Sequence, residues 1–276
     1  MIEELEQEPV FVLTSDQDWA PSWASNILLD DARSFGVPLH MFRTNPCEVL
    51  DRAFVKKEIT QGWHPNFLSG SSHGSNVSEV ISYFQKNFPG LTTSRSHTFF
   101  ENSEVSKALW VAGIVADSQL ATLLQPRIFP LMHWSGTLRF PVFLEDDIFF
   151  DFWPNTLPLE VIAKDLFSPG LKILNFHPTF VGSNCPTRVH YESVRSRVFG
   201  QAELDPEVIW SRRGTRDLLR ELVGFILDSG KRFYPFEELV ASIRTQQSSR
   251  FGAEVPDAVR RQSHLQSLSF LKKRSS

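Results

Sequence analysis

The chain has 276 residues, 41% hydrophobic and 22% charged, which supplies a full apolar core and excludes global disorder. A formal net charge of −4 excludes a general nucleic-acid binder, which needs a dense basic face. Two cysteines, Cys47 and Cys185, with no C-x-x-C spacing, exclude a disulfide framework and read as free reduced thiols.

In chain order, "PVFVLTS" (9–15) reads as a strand and "PSWASNILLDDARSFG" (21–36) as a helix, with Pro21 in its first turn and Gly36 at its end. "VPLHMFRT" (37–44) and "EITQGWH" (58–64) are strands. "NVSEVISYFQKNFPG" (76–90) is a helix with Val77, Val80, Ile81 and Phe84 on one face. "LTTSRSHTF" (91–99) is strand-like and "SEVSKALWVAG" (103–113) helical. Strands follow at 128–134, 137–146 and 171–178, then a long helix within 206–230 and another at 235–247. Such alternation predicts an α/β fold with a parallel sheet or barrel. No internal repeat or linker divides the chain, so residues 1–247 form one domain and 248–276 a polar tail with helical potential. The longest apolar run, Leu109–Ala116, is too short for a bilayer span of about 20 residues. The acidic "MIEELEQEP" start lacks the apolar stretch of a signal peptide, so a cytoplasmic location is the expectation.

Several predicted strands end in an acid or a histidine. Asp16 and Asp18 follow the first, His64 and His97 close two more, Asp146 and Asp147 follow "PVFLE", and His177 closes "LKILNFH". In a parallel barrel these ends share the rim where catalysis takes place. Asp, His and His together suit Zn²⁺ or a similar divalent ion with a position left for water. A second carboxylate could then take the proton of that water, and a further histidine could protonate a leaving group. Asp16, Asp18 and His177 fit these roles by type and position. Singly, each signal has a plainer explanation: D-x-D as a turn, a lone histidine as a surface or core residue, "EDD" as a solvated charge run. His73 and His133 compete for a place. The case rests on their joint occurrence at strand ends.

The order of these segments resembles the NodB-type polysaccharide deacetylases of carbohydrate esterase family 4, and more closely their WbmS-like branch from surface-polysaccharide gene clusters. "TSDQDW" is similar to the first family motif, which implies Asp16 as catalytic base and Asp18 as metal ligand. "SRSH" is similar to the end of the second motif and implies His97 as ligand. "LRFP" resembles the Arg-x-Pro motif, which makes Arg139 the residue that orients the base. "LEDD" resembles the following acidic motif, with Asp147 in that orienting role. "ILNFHP" resembles the last motif and implies His177 as general acid. Two departures stand out. The usual second motif has histidines four residues apart, whereas Thr93 stands four before His97. The "GWHPNF" segment of the WbmS-like branch implies His64 as the missing ligand, with His73 in reserve. Gln17 separates the two acids and leaves open which of them binds the ion.

Spanning roughly Phe11 to Pro186, the resemblance implies a distorted (β/α) barrel of about seven parallel strands, a single domain with a helical C-terminal extension. It implies a metal-dependent deacetylase, with Zn²⁺ the expected ion, that removes an acetyl group, N-linked in the first instance, from a sugar or polysaccharide precursor in surface-polysaccharide biosynthesis. Arg95 is an alternative to Arg139 beside the base. It is also, with Trp19, Trp63 and Trp134, a candidate substrate contact, since aromatic faces stack on sugar rings; Trp153 likewise lies next to candidate site residues in sequence. The expected partner is an acetylated sugar or glycan, with no nucleic acid and no membrane span. Two other classes stay open: a noncatalytic glycan-binding or scaffold barrel, which Thr93 would favour, and an amidase acting on another C–N bond.

Overall fold

The computed structural model describes residues 2–152, 159–199 and 203–251. Its strand segments are β1 (Pro9–Asp16), β2 (Leu39–Arg43), β3 (Ile59–Trp63), β4 (Thr93–Ser94), β5 (Ala116–Asp117), β6 (Leu131–Met132), β7 (Leu138–Arg139), β8 (Val142–Glu145) and β9 (Gly170–Asn175). The helices are α1 (Ile2–Gln7), α2 (Ser22–Phe35), α3 (Glu48–Val55), α4 (Val77–Asn87), α5 (Ser103–Val111), α6 (Asp146–Phe152), α7 (Leu159–Leu166), α8 (Pro178–Gly182), α9 (Arg188–Val198), α10 (Thr215–Asp228) and α11 (Phe236–Phe251). None of the described helices is long and apolar enough to cross a membrane.

The strands form one curled sheet in the order β6-β7-β5-β4-β3-β2-β1-β9-β8. All pairs are parallel except β6 with β7. β7 is second from one end of that order and β8 closes the other, yet only Phe140 and Pro141 separate them in the chain. They are two halves of one stave, broken where proline has no N–H to give the ladder. The chain after β5 continues alongside: Val142 N donates to Leu120 O at 2.8 Å and Thr122 N to Val142 O at 2.9 Å. The sheet thus curls into a distorted barrel whose parallel staves, counted over the described residues with β7 and β8 merged, number seven.

β1 is buried at every position, as a central parallel strand must be. Its side chains alternate. Phe11 and Leu13 pack outward under α2 and α10 with Leu28, Leu29, Leu218 and Leu222. Val10 and Val12 point inward with Phe42, Phe140 and Ile173, where Phe236, Leu239 and Ile243 of α11 cover the starts of the strands. Period two therefore turns Thr14 and Asp16 inward at the other end.

Some predicted elements are shorter than the sequence suggests. The 91–99 strand keeps only Thr93 and Ser94, because the chain leaves the ladder and coils through a 3₁₀ turn at His97–Phe99. The 128–134 strand shrinks to Leu131–Met132, exposed and antiparallel. The long helix begins only at Thr215, because Gly214 approaches the Asn184 carbonyl so closely that a Cβ there would collide with it. β5 was not foreseen, and neither were α1, α3, α6, α7, α8 and α9. β5 hides in an apolar run that reads as helix, and α9 buries only Val194 and Val198. α11 runs through Phe251, and the rest of the polar tail lies outside the described residues, as does Trp153.

Candidate active site

Asp16 ends β1 facing inward, and the next three residues make a tight turn. The Gln17 side-chain oxygen accepts from Arg43 Nε at 3.1 Å, Thr44 N at 3.1 Å and Asn45 N at 3.3 Å. With that hub fixed, Asp18 and Trp19 adopt left-handed backbone, φ 45° and 55°. Such geometry costs on the order of 1 kcal/mol or more per non-glycine residue and persists only where the surroundings enforce it. Here it swings the Asp18 carboxylate back over the strand ends. The inserted Gln17 is thus the pivot that separates the two acids.

Two histidines meet Asp18. His64 Nε2, just past β3, and His97 Nδ1, in the 3₁₀ turn, each lie 2.9 Å from Asp18 Oδ1. The ligand-capable atoms of Asp18, His64 and His97 all lie within 4.8 Å of one another. Burial opposes charge on Asp18. Hydrogen bonds from both histidines and the nearby His64 and His177 charges outweigh it and hold the carboxyl well below its usual range. His97 is shifted upward: burial works against the proton, and the Asp18 bond and charge overcome it. Two imidazoles converging on one carboxylate in a pocket form a donor set that fits a divalent ion of the zinc class.

Asp16 has different company. Arg95 Nη1 donates to Asp16 Oδ1 at 2.8 Å and Asn175 Nδ2 to Oδ2 at 3.2 Å. Arg95 is buried, lies 4.4 Å above the Phe42 ring, and also donates to Ser118, Thr14 and Asn175. It is spent on the protein interior and on Asp16. His177, just after β9, has its Nδ1 2.6 Å from Asp146 Oδ1, while Asp146 Oδ2 accepts from His177 N at 2.9 Å. Its Nε2 is left facing the pocket, 3.5 Å from Asp18 Oδ2 and 3.9 Å from Glu145 Oε1. Burial disfavours the imidazolium, but the Asp146 charge and hydrogen bond, with Asp147 and Asp18 behind them, raise His177 well above its ordinary value. Glu145 is pushed well up by burial and by the charges of Asp147 and Asp16.

The remaining predicted residues are placed as follows. Arg139 does not touch Asp16. It donates to Asp117 at 2.8 and 3.1 Å and to Glu101 at 2.9 and 2.6 Å. Asp147 lines the same pocket as Asp16 and His177 and lies 3.7 Å from Arg188 Nη2. Trp19 stands against His97 and His73, with ring centroids 5.2 and 5.4 Å away. His73 accepts from Asn66 N and braces Trp19, outside the Asp18 group. Trp63 is buried, donates to Phe88 O and packs on Phe84. Trp134 is 65% exposed beside His133, away from both clefts described below. Thr93 receives no metal role, since its hydroxyl lies 3.1 Å from Nε2 of the buried His40. Sequence reasoning missed Asn175, signalled only by one amide in the apolar "LKILNF", and Glu145. It also gave Asp147 rather than Asp146 the place beside the histidine.

A cavity of about 220 Å³ is lined by Asp16, Asp18, His64, His97, Glu145, Asp147 and His177. It adjoins a wider cleft of about 550 Å³ that shares Asp18 and His97 and adds Trp19, Tyr191, Glu192 and Arg195, the last three from α9. An aromatic and polar cleft opening onto paired acid and base groups can seat a sugar ring and hydrolyse an appended acyl group.

Comparison with known proteins fits this geometry. The family profile described as "WbmS-like: Polysaccharide deacetylase" matches residues 13–195. The crystal structure of WbmS from Bordetella bronchiseptica, described as a polysaccharide deacetylase involved in O-antigen biosynthesis, superposes with a TM-score of 0.68 at 24% identity, over 78% of this chain and 90% of that one. Peptidoglycan deacetylase PdaC from Bacillus subtilis aligns at TM-score 0.48 and 13% identity, over 91% and 98% of the two chains. A family 4 acetyl xylan esterase from Clostridium thermocellum, solved with a cobalt ion, aligns at 0.44 and 13%, over 83% and 89%. No curated protein matches the chain in sequence.

Proposed function

The chain belongs to the WbmS-like family of polysaccharide deacetylases, and from that premise we propose that it is a metal-dependent hydrolase removing an acetyl group from an amino sugar in a glycan or glycan precursor. The observation that supports this most is the pairing of Asp16 and His177 around one cavity, each with its own orienting partner. Asp18, His64 and His97 would hold the ion. When bound, it would lower the pKa of a water toward about 7 and polarise the acetyl carbonyl. Asp16, fixed by Arg95 and Asn175, takes the proton from the attacking water. His177 Nε2 gives a proton to the departing sugar nitrogen. Asp146 keeps Nδ1 occupied, so the imidazole presents the correct nitrogen. Trp19 and Tyr191 offer stacking faces to the sugar beyond the cavity. The same reading has the protein act in the cytoplasm on a surface-polysaccharide precursor, with Zn²⁺ as the resident ion.

Two variants test it. His97→Ala should lose stoichiometric metal, because two remaining ligands bind a divalent ion poorly. Asp16→Asn should keep its metal while acetate release from N-acetylated sugars falls by about 10²-fold or more, the scale of general-base loss. Full metal occupancy in His97→Ala, or a normal rate in metal-loaded Asp16→Asn, would remove the corresponding assignment.

A further inference from the structure

Glu145 has no part in the hydrolysis just described, yet it faces the same cavity as Asp16 and His177. Its residue is 6% exposed, it lines the cavity, and its Oε2 has no hydrogen-bond partner among the described residues. A buried carboxyl oxygen left without a hydrogen-bond partner is costly, by roughly 1–3 kcal/mol, unless something outside the protein meets it. Ligand atoms of Asp16, Glu145 and His177, all buried, lie within 4.8 Å of one another. Their supports have the form found behind metal ligands. His177 Nδ1 is engaged by Asp146 at 2.6 Å, which leaves Nε2 directed into the cavity. Asp16 is braced by Arg95 and Asn175 without using every lone pair of its oxygens. A third grouping, Asp146, Asp147 and His177, is already consumed, because both Asp146 oxygens bond His177.

Charge points the same way. Asp16, Asp18, Glu145 and Asp147 all line one small cavity, and a fifth carboxylate, Asp146, stands directly behind it. Against them stand Arg95 on Asp16 and Arg188 near Asp147. A divalent cation bound among them would displace the protons that Glu145 and His177 otherwise hold and so match these carboxylates in a confined space.

We propose that Asp16, Glu145 and His177 form a second divalent-cation site beside the Asp18–His64–His97 group, and that filling it arrests hydrolysis. The proposed site is distinct in its ligands, all of which differ from those of the first group. It takes a cation of the zinc class, which one imidazole and two carboxylates suit. The arrest rests on the deacetylase reading above: an ion on Asp16 and His177 occupies the oxygen that accepts the proton and the nitrogen that delivers one. The chain then works at low free metal and closes down as free metal rises.

The experiment is a calorimetric titration of the metal-stripped protein with Zn²⁺, checked by elemental analysis after dialysis at fixed free Zn²⁺. The wild type should bind two equivalents, one tight and one weaker. Glu145→Gln, close to the native side chain in shape, should keep the tight equivalent and weaken the other by tenfold or more. His177→Ala should do the same by a separate route, so one variant's failure to fold does not leave the question open. A single equivalent in the wild type overturns the site. Two equivalents undiminished in both variants overturn it too, since the second ion then lies elsewhere. Acetate release by the wild type should fall at least tenfold as the second equivalent fills, and persistence of full activity at that occupancy overturns the arrest. The stoichiometry does not depend on turnover. A failure of the deacetylase reading appears separately, as no acetate release with only the first equivalent bound.

Discussion

His177 and His40 show how opposite surroundings set two histidines to different work. An amine leaves a tetrahedral intermediate poorly unless protonated, whereas a phenolate of low pKa needs no such help. His177→Ala should therefore slow release from an N-acetyl sugar by about 10²–10⁴-fold and an activated aryl acetate far less. Equal losses on both, with a lowered melting midpoint, would reduce His177 to a packing residue. His40 is buried between Thr60 and Thr93 at 2.6 and 3.1 Å, and burial, with Arg95 nearby, depresses it to about 3. Above pH 6.5 neither the folded nor the unfolded chain carries its proton. As pH falls from 6.5 toward 3 only the unfolded chain takes one up, so stability declines by up to about 1.4 kcal/mol per pH unit from this residue alone. His40→Asn should flatten the plot of unfolding free energy against pH between 6 and 4; an unchanged slope would dismiss the assignment. At this scale the sequence was informative about residue type and poor about neighbours. Strand-end acids and histidines stood out because period two and a polar terminus are visible in one dimension. That Arg95 reaches Asp16 while Arg139 is captured by Asp117 and Glu101 was not visible, because Asp117 sits in a two-residue strand at the end of an apolar run.

The strands are legible where they are long and apolar, and fail where a site interrupts them. β1, β2 and β3 lie within a residue or two of expectation, and β9 within three, since interior parallel strands carry a continuous apolar signal. β4 broke off early because the chain must leave the ladder to bring His97 to Asp18. The "EDD" run could not be resolved by pattern, since β8 passes directly into α6 between Glu145 and Asp146. A single residue of error there exchanges the carboxylate that holds His177 for one that lines the cavity. β3 adds a packing constraint. A Cβ on Gly62 would lie 2.5 Å from Thr93 Oγ1 and 2.7 Å from the Phe42 ring. Gly62→Ala should then push Thr93 off His40 and destabilise the fold by about 1–3 kcal/mol, the usual cost of overfilling a core. Chemical denaturation would detect it, and a wild-type midpoint would mean that β3 can shift aside.

For the whole molecule, the helical layer is stitched across long sequence separations. Asp31 of α2 is 2% exposed and takes Arg216 at 2.7 and 2.9 Å and Arg220 at 2.7 and 3.1 Å, both from α10. Asp31→Ala leaves two half-exposed guanidinium groups without their acceptor and should lower the unfolding free energy by about 1–3 kcal/mol, with metal binding retained because none of the three residues lines the cavity. Loss of metal together with stability would instead tie the helical layer to the site. The barrel class was legible from alternation alone. The merging of β7 and β8 into one stave was not, because a proline inside a strand pattern reads equally well as an end.

The pairing of β1 with β9 also sets an order of assembly during synthesis. Thr14 meets Asn175 across 161 positions of chain. At about 5–20 residues per second on a ribosome, the outer edge of β1 waits roughly 8–30 s for its neighbour. Asp16 meanwhile lacks Asn175, and the cavity lacks His177. Throughout that interval the nascent chain carries an unpaired strand edge open to chaperones and to copies of itself, and its hydrolytic apparatus cannot exist on any shorter nascent chain.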